Sequence, residues 1–372
     1  MKRYINKWLC IVFSTILLLG TVGCIQNAVE PDPVGQASAA PSENGGEETV
    51  ILVENTAETV PQNPELPEPT DTPEPTPEPT ATPEPTPQPT RAPKEGDIAT
   101  DRFPNYDTGV DADWSYQSDE VRIAVKRVKI NEGEPDQKVY NVADIWVRNI
   151  NSIRMGFGRG GFNKGTENPE KFATREHAIL ATNGTMNSGL VIHNGVEVKK
   201  NVQRSSHVFR SGVVILYRDG TVKLINRANN ETYDYKKENA QHGGIWQALQ
   251  FGPVLIQNGK IQGNLKKYSF SRRSRTLFGY YEPGHYALVT VDGNTLGMNP
   301  EECAELMASI GCTDAINLDG GQSTSMVFMG RRINSKPQSD RETKDMILIA
   351  EYDADGNAPE LTDVPADRVR GE

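Results

Sequence analysis

The groups best able to do chemistry are concentrated in AINLDGGQSTSMV, residues 315–327. Asp319 follows Ala315, Ile316 and Leu318, an apolar-alternating run of the kind that forms a buried strand. Gly320 and Gly321 come next, and glycines let a backbone take positive φ and approach a ligand with no Cβ in the way. Gln322, Ser323, Thr324 and Ser325 then supply hydrogen-bonding side chains before a second apolar run, Met326 to Met329. Two readings follow. One is a hairpin with a Gly-Gly turn; the other is a carboxylate and hydroxyls held at one turn between two buried strands.

Other predicted strand ends carry related groups. ATNG at 181–184 ends one strand in Asn183 and Gly184, TVDGN at 290–294 brings Asp292, and SRTLFG at 274–279 puts Arg275 just before a strand. Each has a plainer alternative: a tight Asn-Gly turn, a turn aspartate, a solvated basic edge. Taken in order with FGPVLIQNGK at 251–260 and NPEECAELMASIGCTDAINLDGG at 299–321, these blocks resemble the phosphodiester glycosidase family. The resemblance spans about Val121 to Glu351. Three departures stand out: Thr185-Met186 replaces a Gly-aromatic pair, Gln322 replaces a third glycine, and Asn294 replaces the arginine of Asp-Gly-Arg. They bear on substrate and activity rather than on fold.

The resemblance implies hydrolysis of a sugar-1-phosphodiester, in a cell-envelope or exopolysaccharide glycan. A carboxylate near the sugar ring suits a transition state of oxocarbenium character. The phosphate leaves as a stable anion, so an arginine that stabilises its charge can replace much of a general acid. On this reading Asp319, Arg275 and Asp292 are the catalytic candidates. Arg275 is the phosphate clamp, because a guanidinium forks onto phosphate. Asn183, Gly184, Gly320, Gly321, Ser323 and Thr324 are the substrate-binding candidates. No histidine stands in a metal-like or triad-like arrangement, and no serine lies in a nucleophile elbow. No metal or cofactor is assigned, and a divalent ion at Asp319 and Asp292 stays open. The competing class is a catalytically silent glycan-binding envelope lipoprotein, which Thr185, Met186 and Gln322 favour. A purely structural protein would leave the polar DGGQSTS turn unexplained.

The segments ahead of these residues have other tasks. Lys2, Arg3 and Lys7 precede an apolar run, Trp8 to Val22, too short for a comfortable membrane span. It closes on Thr21-Val22-Gly23-Cys24, which resembles a bacterial lipoprotein cleavage site with Cys24 lipidated; plain secretion is the alternative. Residues 1–24 thus form a signal peptide, and the expected location is extracytoplasmic, anchored to the membrane by lipid. Residues 25–96 form a disordered acidic spacer. Between Ile25 and Thr90 lie 13 Asp/Glu and no Lys or Arg, and 12 of the 25 prolines fall between Pro61 and Pro89. Such repeats favour extended polyproline II; a proline-rich ligand for a partner is the alternative. The leader contributes +3 and residues 25–90 contribute −13 to the net −11, leaving −1 for residues 91–372. Nothing therefore points to nucleic acid.

Residues 97–372 are long enough for one sizeable core. They predict an α+β domain, mostly antiparallel or mixed sheet with a few packed helices. Strands are expected at 121–130, 139–147, 178–183, 276–281, 288–291 and 346–352, and hairpins turn at Asn194-Gly195, Asp219-Gly220 and Asn258-Gly259. The glycine-rich 156–165 reads as a loop, followed by a short helical stretch from Pro169 to His177. LQFGPV, 249–254, reads as a helix or loop entering a strand. The clearest helix is 300–310, with Asn299 as N-cap, Pro300 in the first turn, and Cys303, Leu306, Met307 and Ile310 on one face. Cys303 and Cys312 could pair outside the cell or stay as two buried thiols. The polar stretch 331–345 could form a lip of the site, and the last twenty residues look loosely ordered.

Overall fold

The computed structural model describes residues 91–371, apart from 101, 105–109, 201–210, 264, 267–270 and 337–339. The leader with Cys24 and the proline repeats lie outside the described residues. In chain order the strands begin with β1 (Trp114–Gln117), β2 (Val121–Ile130), β3 (Lys138–Val147) and β4 (Ile153–Phe157). Helix α1 (Pro169–Arg175) leads to β5 (Leu180–Asn183), β6 (Val191–His193), β7 (Val196–Lys199), β8 (Gly212–Tyr217) and β9 (Val222–Asn226). After α2 (Tyr235–Asn239) come β10 (Ile245–Phe251), β11 (Val254–Gln257), β12 (Lys260–Ile261), β13 (Arg275–Glu282) and β14 (His285–Val291). Helix α3 (Pro300–Ser309) precedes β15 (Asp314–Asn317), β16 (Met326–Phe328), β17 (Arg331–Arg332), β18 (Asp345–Ile349) and β19 (Val369–Arg370).

Alternation of apolar residues decides which face each strand buries. Ile123, Ile145, Phe278, Leu288 and Ile316 point inward from a nine-stranded sheet ordered β12-β11-β15-β13-β14-β3-β2-β1-β19. They meet Val214, Leu216 and Trp246 of the sheet β7-β6-β10-β8-β9, and Met155, Leu180, Met326 and Ile347 of the sheet β17-β16-β5-β18-β4. Neighbouring strands in the three sheets pair antiparallel. One apolar core is thus enclosed by three sheets, and helices cover parts of the outside. Cys303, Ala304, Leu306 and Met307 of α3 pack on Leu277, Val289 and Ala315, while Phe172 and Ala173 of α1 pack on Val327 and Leu348. Helix α3 has the expected capping box between Asn299 and Glu302, which satisfies two orphan amide donors. Cys303 and Cys312 are free and buried, and burial pushes both thiols up to about 12.

Several expectations fail for identifiable reasons. The stretch 156–165 is not all loop, because β4 runs to Phe157. A Cβ on Gly156 would lie 2.5 Å from Leu348 and 3.0 Å from Phe172, so this glycine serves close packing inside a strand. LQFGPV joins two strands, β10 and β11, through a cis Gly252–Pro253 bond. Helix α2 was not foreseen; Glu238 anchors it by accepting from Tyr217 and Lys223. The terminal segment is tied down as well, since β19 pairs with β1 at the sheet edge.

The chain enters this unit through a charged strap. Arg91 forks onto Asp97 at 2.7 and 2.8 Å and reaches Glu120, and Lys94 also pairs with Glu120 at 2.6 Å. The strap lines a cleft of about 400 Å³ with Glu351 and Arg368. Among the described residues no helix is long and apolar enough to cross a membrane.

Candidate functional site

Asp319 stands where β15 ends, at the junction of two sheets. Leu318 still donates to Thr276 of β13. One residue later the chain has crossed to the neighbouring sheet: Asp319 N donates to Gly184 O at 3.1 Å, and Asn183 Nδ2 donates to Asp319 O at 2.6 Å. Asn183 Oδ1 accepts from Thr276 Oγ1 at 2.6 Å and from Ser325 N at 3.0 Å. This fully buried amide therefore ties β5, β13 and both sides of the DGGQSTS turn together. It holds the main chain of Asp319.

The two glycines divide their tasks. Gly320 is extended, and a Cβ there would lie 2.6 Å from Ser274 O, so only glycine lets the turn press against the start of β13. Gly321 adopts φ +62°, in the left-handed region, and opens a short 3₁₀ turn, Gly321–Ser323, in place of a simple hairpin. That turn brings Ser323 under Asp319. Thr324 is fully buried and its hydroxyl has no protein partner among the described residues.

A cation reaches the carboxylate from the 331–345 stretch. Arg341 Nη2 donates to Asp319 Oδ2 at 2.6 Å, and Arg341 Nε and Nη2 both donate to Ser323 Oγ, the former at 2.9 Å. The Arg341 side chain is 43% exposed and that of Asp319 is 18% exposed, so the pair faces outward. Burial raises the Asp319 carboxyl above the usual range, opposed by Ser323, Arg341 and the Gly320 amide. A carboxylate, a guanidinium and a hydroxyl thus meet at one turn.

Arg275 and Asp292 lie elsewhere. Arg275 alternates with Leu277 onto the α3 side of the sheet, whereas Thr276, on the other side, meets Asn183. Its buried guanidinium donates to Met298 O at 3.1 Å and to Ser271, and burial lowers its pKa. Asp292 is buried at the end of β14, paired with Arg127 at 2.8 Å and accepting from Ser335 N. Arg127 also donates to Ile333 O, so this pair holds one root of the stretch that carries Arg341. Among the described residues no group of three or more His, Cys, Asp or Glu could hold a metal ion.

Asp345 holds the other root, and neither it nor Arg341 was singled out from sequence. Fully buried, it accepts from the amides of Thr185, Met186 and Asn187 and from Thr185 Oγ1. Burial raises its carboxyl, with these donors opposing. An acidic residue opening the apolar run MILIA was the available signal for Asp345. For Arg341 the only signal was its place in a polar stretch expected near the site.

The family model of the phosphodiester glycosidases matches residues 168–350. The human N-acetylglucosamine-1-phosphodiester alpha-N-acetylglucosaminidase is 29% identical over 176 residues, covering 43% of this chain and 34% of that protein. The bovine enzyme of the same name is 28% identical over 199 residues, covering 50% of this chain and 37% of that protein. The chain therefore spans about a third of the length of these curated relatives. In fold it is similar to the zebrafish catalytic domain of that name, solved in a form auto-inhibited by its pro-peptide. That match has TM-score 0.50 and 20% identity, and it covers 63% of this chain and 84% of that domain.

Proposed function

We propose that this domain hydrolyses a sugar-1-phosphodiester at the anomeric carbon, on an envelope glycan outside the cytoplasm. The observation that carries the reading is the Arg341–Asp319–Ser323 constellation. The C1–O bond to phosphate breaks, water adds to C1, and the phosphomonoester leaves with the bonding electron pair. Asp319 stabilises the positive charge that develops on the ring. Arg341 sits on the exposed side of Asp319, where its fork can turn to the departing phosphate and stabilise the charge gathering there. Ser323 orients both groups. Arg275, held on the far side of β13, supports the fold beneath the site on this reading, and Asp292 supports the stretch that carries Arg341. Lipidation at Cys24 would anchor the domain to the membrane, and labelled fatty acid lost in Cys24→Ala tests that part.

Turnover in ¹⁸O-water distinguishes the chemistry. Cleavage at carbon puts the label on the sugar, whereas cleavage at phosphorus puts it on the phosphate. Label in the phosphate, or no turnover, would overturn the reading; no turnover with retained glycan binding would favour the silent binding module.

A further inference from the structure

The turn that follows Asn183 is bent in an unusual way. Met186 and Asn187 both take left-handed backbone, at φ +59° and +55°. Such a conformation costs a non-glycine residue about 1 kcal/mol or more. Three successive amides, at 185, 186 and 187, converge within 2.6 to 3.2 Å on the Asp345 carboxylate, and Thr185 Oγ1 adds a bond at 2.8 Å. This is an anion-binding nest whose anion is a side chain of the same protein. Gly184 is required for it, because a Cβ there would lie 2.9 Å from the Asp345 carboxyl carbon. Gly184 O and the Asn183 side chain are the groups that hold the main chain of Asp319.

We propose that Asp345 is a positioning residue: by closing the 185–187 nest it fixes Asn183 and Gly184, and through them the placement of Asp319 against Arg341. The kinetic part rests on the hydrolytic reading above, whereas the structural part does not. Asp345 does not touch substrate, being fully buried.

The test uses the mature full chain and two substitutions, Asp345→Asn and the milder Thr185→Ala, which removes one bond to the carboxylate. Hydrogen exchange followed by mass spectrometry reads the backbone. Exchange should quicken about tenfold or more at 184–188 and 317–323, while β8 and β10 stay at wild-type rates. Turnover of a sugar-1-phosphodiester should lose about 10- to 100-fold in kcat for Asp345→Asn with little change in KM, as expected when a reacting group is displaced by a fraction of an ångström. Thr185→Ala should show a smaller loss of the same form, and it carries the test if Asp345→Asn does not unfold cooperatively. Unchanged exchange at 317–323 would overturn the proposal, as would uniform acceleration throughout the domain. Loosened exchange with wild-type kcat would do the same. If the wild type turns nothing over, the hydrolytic reading falls, and exchange at 317–323 still decides the coupling.

Discussion

Replacing Arg341 separates its two contacts. Towards the protein, it holds Asp319 and Ser323 through Nε and Nη2; on the clamp reading it turns its fork to the phosphate. A unit charge pair about 4 Å apart at an effective dielectric of about 20 is worth about 4 kcal/mol. With the guanidinium 43% exposed, screening reduces the net hold on Asp319 to about 1 kcal/mol, or about fivefold in rate. A charge-assisted fork onto phosphate is worth about 1.5–3 kcal/mol, or about 10- to 150-fold. Arg341→Lys keeps the charge and loses the fork. Its kcat/KM on a sugar-1-phosphodiester should therefore fall about 10- to 100-fold, and on an aryl glycoside lacking phosphate by no more than about fivefold. Stability should stay within about 0.5 kcal/mol of wild type by urea denaturation, because the site is at the surface. Equal losses on both substrates would refute the clamp and leave Arg341 acting only through Asp319.

Further outcomes follow from the same contacts. Asp319→Asn, nearly isosteric, should lose about 10²- to 10³-fold in kcat with an unchanged circular dichroism spectrum. Arg341→Met removes one of the groups that oppose burial at Asp319, so the carboxyl moves further up. The acid limb of a kcat/KM–pH profile should move to higher pH, and a limb that stays or falls counts against Asp319 acting ionised. Asp292→Asn should destabilise by about 1.5–3 kcal/mol in denaturant, because it takes the charged acceptor from Arg127, whose side chain is 24% exposed. Arg91 holds the Asp97 carboxyl far below its usual range, so that pair stabilises the fold above the ordinary carboxylate pKa and loses its effect as pH falls. Arg91→Met should therefore cost about 1 kcal/mol at pH 7, with the difference from wild type shrinking below about pH 4.

Local pattern made much of this molecule legible. The strand at 121–130, the Asn-Gly and Asp-Gly hairpins and the capped helix at 300–309 all follow from period, turn chemistry and capping, which act between near neighbours in sequence. The Asp319 turn was legible as a place where chemistry could collect. Its partner was not, because Arg341 arrives from a segment 22 residues away with no periodicity to fix its course. The side of the sheet that Arg275 faces was not legible either, for a related reason. The position of Arg275 before a strand is plain in the sequence, but which face it occupies depends on pairing with β15, a contact between distant segments. Asn183 was placed correctly at a strand end, yet its side chain proves to be a joint between sheets, which no single-strand pattern can reveal.

The direction of β18 sets two features of the domain apart. The strand starts at Asp345, beneath the Asp319 turn, and Glu351, just past its end, lines the same cleft as Arg91 and Lys94. Six residue steps at about 3.3 Å put these two ends about 20 Å apart. The cleft lined by Arg91 and Lys94 thus lies about 20 Å along β18 from the end that carries Asp345.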